Sequence, residues 1–274
     1  MYNFRPADST AIAVAQFAPT VDRAANLEKV RDLATLAASR GAKLVVFPEY
    51  SAFFESQLGP ESVAAAEPLD GEFVAALGAI AKVLGIHLVA GMLETTTDPT
   101  RLSNTLVAVD PGGLLVAKYR KMHLYDAFGQ SESDFVVAGP IEPPETFTID
   151  GLTIGLQTCY DIRFPEVTRR LADAGVDVVL LPSEWVRGPL KEHHWRTLVT
   201  ARALENTLYI AAADQAPPIG AGNSMIVDPM GVELATVGEQ IDVGIAWVSR
   251  TRIKEVRARN PALALRRFVI TERS

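Results

Sequence analysis

Residues 22–40 of this 274-residue chain place Leu27, Val30, Leu33 and Ala37 at helical spacing, stop at Gly41, and give way to the apolar strand KLVVFPE. The unit returns over 72–84, where Phe73, Leu77, Ile80 and Leu84 precede Gly85 and the strand IHLVAGMLE. A third begins at Pro165, a residue suited to the first helical position, and runs to Gly175 before VDVVLLPSE. A fourth covers 189–206 and leads into TLYIAAADQ. Helices that alternate with buried strands require an α/β architecture.

The hairpins narrow the choice. LVAVDPGGLLVAKY, FTIDGLTIGLQT and MIVDPMGVELATV each set turn residues between two strands. A doubly wound parallel sheet does not need so many hairpins. Two mixed sheets packed together, with helices outside, fit better. The first and third hairpins share the turn VDPxG, which points to a pseudo-repeated sheet. No linker, low-complexity run or break in composition divides the chain, so residues 1–274 are expected to form one domain. The basic stretch from about 252 to 274, with a proline inside it, is expected to form a last helix and an extended arm at a subunit interface.

Charge and cysteine usage exclude several partners. The net charge of −7 argues against nucleic acid and anionic membrane, both of which reward a basic face. No apolar run approaches the roughly 20 residues of a membrane span, and MYNFRPADSTAIAVAQFAP does not read as a signal peptide. One cysteine cannot form an internal disulfide, so a reducing, cytoplasmic setting is the simplest expectation.

Four of the strands end in an acidic residue: Glu49, Glu94, Glu184 and Asp214. Ligands of α/β proteins favour that end of the sheet. The single thiol, Cys159, follows the strand LTIGLQT and precedes Pro165, which puts it on a tight strand-to-helix turn. A nucleophile can be exposed there, and backbone N–H groups can hold an oxyanion. None of the four histidines has a signature that would activate the thiol, and no spacing suits a metal. A carboxylate is the other available base, and Glu49, after the apolar VVFP, is a competent proton acceptor. In KYRKMHL, an extended backbone would turn Tyr119, Lys121 and His123 to one side and leave the charges of Lys118 and Arg120 solvated on the other. One inward lysine there can stabilise an oxyanion.

VVFPE with Glu49, KYRKMHL with Lys121 and LQTCYDIRFPE with Cys159, in that order, resemble the nitrilase superfamily of carbon–nitrogen hydrolases. The segments HWRTLVTARALENTLYIAAAD and GNSMIVDPMG look like further blocks of that family. The resemblance implies a four-layer αββα sandwich, an assembly that begins with a homodimer, and no cofactor or metal. It implies Cys159 as nucleophile, Glu49 as general base and Lys121 as the partner of the tetrahedral intermediate. It also implies a second glutamate between the lysine and cysteine blocks, for which Glu132 fits best and Glu142 and Glu145 compete. The N–H of Tyr160 is expected to help hold the oxyanion.

CYDIRFPE looks like the branch that contains omega-amidases and deaminated-glutathione amidases, which act on small carboxylate-bearing amides. N-carbamoyl amino acid amidohydrolases, or a catalytically silent scaffold, are the alternatives. A carboxylate needs a cationic pocket end, for which Arg163, Arg187 and Lys191 are candidates. Arg163 is expected instead to pair with Glu166 or Asp161 and hold the turn. Trp185, after Glu184, is placed to wall the pocket.

Overall fold

The alternation of helix and strand sorts into two six-stranded sheets in the computed structural model, which describes residues 7–272. The first half of the chain gives β1 (Thr10–Gln16), α1 (Arg23–Ser39), β2 (Leu44–Val46), α2 (Pro60–Ala64), α3 (Glu72–Leu84), β3 (His87–Thr95), β4 (Leu102–Val109) and β5 (Leu115–Arg120). The second gives β6 (Thr146–Ile149), β7 (Leu152–Leu156), α4 (Pro165–Asp173), β8 (Val178–Ser183), α5 (Lys191–Asn206) and β9 (Tyr209–Asp214). It closes with β10 (Met225–Val227), β11 (Glu233–Thr236), β12 (Asp242–Val248) and α6 (Arg250–Arg259). One-turn 3-10 helices occupy Glu132–Asp134 and Cys159–Arg163.

The sheets run β12-β1-β2-β3-β4-β5 and β11-β10-β9-β8-β7-β6. In each, three parallel strands (β1, β2, β3 and β7, β8, β9) lie between one antiparallel strand and an antiparallel hairpin. The VDPxG turns close equivalent hairpins. Asp110 accepts from the N–H groups of Gly112 and Leu114, and Asp228 does the same for Met230 and Val232. Each hairpin also slips register just before its turn. The pseudo-repeat read from the sequence is thus a repeat of sheet topology.

Parallel strands must be covered on both faces, and the alternation along β1 shows how. Ile12 and Val14 join Leu44, Val46, Ile154 and Leu180 between the sheets. Ala13 and Ala15 face outward to Val30 and Leu33 of α1 and Leu77 of α3. On the far side, α4 and α5 lay Leu171, Trp195 and Val199 over Val179, Leu181 and Ile210. Each buried Val or Leu contributes about 1.5–3 kcal/mol. The layers are therefore helix, sheet, sheet, helix, and the carboxyl ends of β2, β8 and β9 gather at one end of the sandwich.

Some local expectations change. The short helix α2 has no counterpart in the sequence reading. β5 ends at Arg120, although the Lys121 N–H still reaches the Asn104 carbonyl at 2.9 Å. Arg120 is not simply solvated: its guanidinium makes two bonds, at 2.7 and 2.6 Å, to the buried carboxylate of Glu94. That pair removes Glu94 from the acidic strand ends with a functional claim. Past Asn260 the chain follows a turn and then irregular backbone, with Arg266 tied to Asp173. Residues 1–6 and the last two of the arm, 273 and 274, lie outside the described residues. Among the described residues, no helix is long and apolar enough to cross a membrane.

Candidate active site

Glu49 is delivered by a very short strand. After Val46 the chain turns through Phe47, Pro48 and Glu49, and Tyr50 takes a left-handed backbone with φ 59°. The segment lies flat against β3 because residue 91 is glycine. A Cβ there would sit 2.6 Å from the Tyr50 nitrogen and 2.8 Å from the Glu49 Cα. The carboxylate is fully buried and satisfied from three directions. Its Oε1 takes Lys121 Nζ at 2.9 Å and Asn104 Nδ2 at 2.6 Å, and its Oε2 takes the Glu184 N–H at 2.8 Å. Gln215 holds the Glu49 carbonyl at 3.0 Å.

Lys121 sits between two carboxylates. Its ammonium lies 2.9 Å from Glu49 Oε1 and 2.8 Å from Glu132 Oε2. Burial opposes its charge, but the anions of Glu132 and Glu49 win and hold its pKa well above the ordinary lysine range. Burial likewise opposes ionisation of Glu132, yet the Lys121 charge and the Tyr125 N–H, at 2.6 Å, hold its carboxyl below the usual range. Glu132 is carried by its own 3-10 turn, and Tyr50 OH donates to it at 2.8 Å. Glu142 and Glu145 are exposed, and Glu145 pairs with Lys118.

Cys159 opens the second 3-10 turn with φ 44°, a left-handed conformation that non-glycine residues rarely adopt. The turn comes before α4 rather than being part of it, and the Tyr160 N–H lies in its first residues. The thiol approaches the Glu184 carbonyl at 3.4 Å. Burial first, and the Glu49 charge second, push its pKa well above that of a free thiol, so at neutral pH it rests protonated.

Neighbours that carry no motif hold this turn. Asp161, fully buried, accepts from Tyr119 OH at 2.6 Å and from the His123 backbone N–H at 3.0 Å, and its carboxylate lies 2.7 Å from His123 Nδ1. This ties the cysteine turn to the segment that carries Lys121. Arg202 of α5 caps the Ile162 carbonyl at 3.0 Å. These contacts overturn the expectation for Arg163, which pairs with neither Asp161 nor Glu166. Its guanidinium lies 4.8 Å over the Trp185 ring, and its Nε and Nη2 are buried with no hydrogen-bond partner among the described residues.

The thiol, Glu49, Lys121 and Glu132 open onto a cavity of about 380 Å³, within the range of small-molecule sites. Glu184, Trp185 and Lys191 line it as well. Trp185 is both wall and packed residue: its indole N–H reaches the Lys191 carbonyl at 2.8 Å, and its ring lies 5.4 Å from that of Trp195. Lys191 is buried, its ammonium bonded to Tyr125 OH at 3.2 Å and 4.8 Å above the Trp185 ring. No carboxylate pairs with it among the described residues, and burial lowers its pKa. Arg187 is spent on Glu239 and Glu192 at the exposed rim. Sequence reasoning missed Asn104 and Tyr50, and offered Asp161 only as a partner for Arg163. Their only signal was polar character inside otherwise buried segments.

A protonated thiol on a strained turn, set beside a carboxylate–lysine–carboxylate cluster across an αββα sandwich, defines a cysteine hydrolase of amides. The chain belongs to the carbon–nitrogen hydrolase family, whose model matches residues 11–258. It is 40% identical over 263 residues to a deaminated glutathione amidase of Escherichia coli O157:H7, covering 94% of this chain and 97% of that one. It superposes on the NitFhit protein of C. elegans with a TM-score of 0.86 at 30% identity, over 94% of this chain and 65% of that chain. An amidase of Nesterenkonia, carrying the acetamide moiety of fluoroacetamide on its active-site cysteine, gives 0.78 at 27% identity, over 95% and 98%.

Proposed function

We propose that the protein hydrolyses the terminal amide of a small carboxylate-bearing substrate and releases ammonia. The observation that carries the reading is the single buried ammonium of Lys121 shared by Glu49 and Glu132 beside the Cys159 thiol. Glu49 takes the thiol proton as Cys159 Sγ attacks the amide carbon. The oxygen of that carbon becomes an alkoxide, held by Lys121 Nζ and the Tyr160 N–H. Glu49 returns the proton to the leaving nitrogen, ammonia departs, and a thioester remains. Glu49 then deprotonates a water that attacks the thioester carbon; the thiol leaves reprotonated and the acid is freed. Glu132 keeps Lys121 charged and aimed.

The carboxylate of the substrate is met by Lys191, which has no anionic partner among the described residues, with the guanidinium of Arg163 over the same Trp185 and Phe128 rings. An acidic substrate would supply the charge that these cations lack. The relationship to deaminated glutathione amidase supports the same class of substrate. The reading includes a cytoplasmic homodimer; exposed Phe268 and Val269 on the C-terminal arm support an interface there, and light scattering in solution tests it.

Ammonia release from α-keto-acid ω-amides, deaminated glutathione, N-carbamoyl amino acids and simple nitriles tests the assignment, with Cys159→Ala alongside. Turnover of the keto-acid amides that vanishes in the variant is expected. Preferred turnover of N-carbamoyl amino acids would replace the substrate class. Silence of the folded protein across the panel would favour the scaffold.

A further inference from the structure

Glu184 has two separate sets of contacts. Its backbone serves the proposed catalytic groups, with the N–H on Glu49 at 2.8 Å and the carbonyl 3.4 Å from Cys159 Sγ. Its side chain does none of this work. The carboxyl faces the cavity, and Oε1 is buried without a hydrogen-bond partner among the described residues. A buried polar atom left unpaired costs about 1–3 kcal/mol, so its persistence at the wall of a cavity calls for a partner from the substrate.

We propose that Glu184 is a specificity residue that donates a hydrogen bond to an uncharged acceptor oxygen of the substrate, close to the carboxylate held by Lys191. This rests on the proposed function and deepens it. A carboxyl can donate only when protonated. Burial, and then the charge of Glu49, raise the Glu184 pKa to about 8, which leaves it neutral at physiological pH. Glu132 pushes in the same direction, while Lys121 and Lys191 oppose. Cys159, Tyr125 and Asp214 also sense its charge, and each of those three is itself shifted upward. An ammonium on the substrate would need an ionised Glu184; a keto or hydroxyl oxygen needs the neutral acid that this pocket produces.

Calorimetric binding to the Cys159→Ala protein tests this without turnover. The probes are 2-oxoglutarate and glutarate, which differ by one keto oxygen. The expected result is about tenfold tighter binding of the keto acid at pH 7, lost by pH 9. In a Glu184→Gln background the preference should persist at both pH values, because an amide N–H replaces the acid. In Glu184→Leu it should be absent at both. Equal binding of the two probes at pH 7, or a pH-dependent preference unchanged in Glu184→Gln, would overturn the assignment and implicate another group such as Lys191. No measurable binding overturns it too, and leaves the hydrolysis itself to be judged by ammonia release.

Discussion

Lys121 Nζ lies 2.9 Å from Glu49 Oε1 across 72 positions of sequence. The contact joins the carboxyl end of β2 to the residue just past β5, with β3 and β4 between them in the same sheet. With Glu132 included, one buried cation serves two anions, and the cluster carries a net negative charge.

That imbalance separates stability from rate. Glu132→Gln should leave a neutral Lys121–Glu49 pair and little change in thermal midpoint, while kcat falls about 10²-fold as Lys121 loses its anchor. Lys121→Met should strand two buried carboxylates, costing about 3–5 kcal/mol. Its loss as an oxyanion partner removes a further ~10²–10³ in kcat. Thermal melts beside ammonia-release kinetics check both. A Glu132→Gln protein as destabilised as Lys121→Met would contradict the charge account.

The resting thiol should be slow to alkylate. Because burial and Glu49 raise the Cys159 pKa, iodoacetamide labelling should be slow at pH 7 and accelerate towards alkaline pH. Glu49→Gln removes the largest electrostatic cause, so the onset should move to lower pH. Labelling that is fast and flat down to pH 6 would mean a preformed thiolate.

Lys191 should set affinity for the acidic end of the substrate. Lys191→Met is expected to raise KM for carboxylate-bearing amides at least tenfold, with a smaller change in kcat and little effect on uncharged amides. An Arg163→Met protein should show a weaker effect in the same direction, since Arg163 is not among the residues that line the cavity. Steady-state kinetics on paired substrates decide; an equal loss on both classes would point to general damage to the pocket.

Glu184 should also leave a mark on stability. Its folded pKa, about 8, lies above the roughly 4.3 of an unfolded glutamate. Between those values the native state holds a proton that the unfolded chain has lost, so stability falls as pH rises through that window and then levels. Glu184→Gln should remove this slope and gain on the native protein from pH 5 to pH 8. Urea midpoints at four pH values measure it.

The local patterns were legible in the chain alone. Helical spacing and glycine stops set α1, α3 and α4, because each depends on residues within a few turns of one another. The VDPxG turns set two hairpins, and their Asp side chains bond within the same turn. The three motifs around Glu49, Lys121 and Cys159 were readable because each lies in one short segment. What those segments face was decided only by the two sheets stacking. Local spacing offers Arg163 either Glu166 or Asp161; the fold gives Asp161 instead to Tyr119 and His123, about 40 positions back, and sets the Arg163 guanidinium over the Trp185 ring. Asn104 and Tyr50 carry no motif, and only the packing brings them to Glu49 and Glu132. Contacts at that separation follow from strand order and burial, and a cavity exists only once those are fixed.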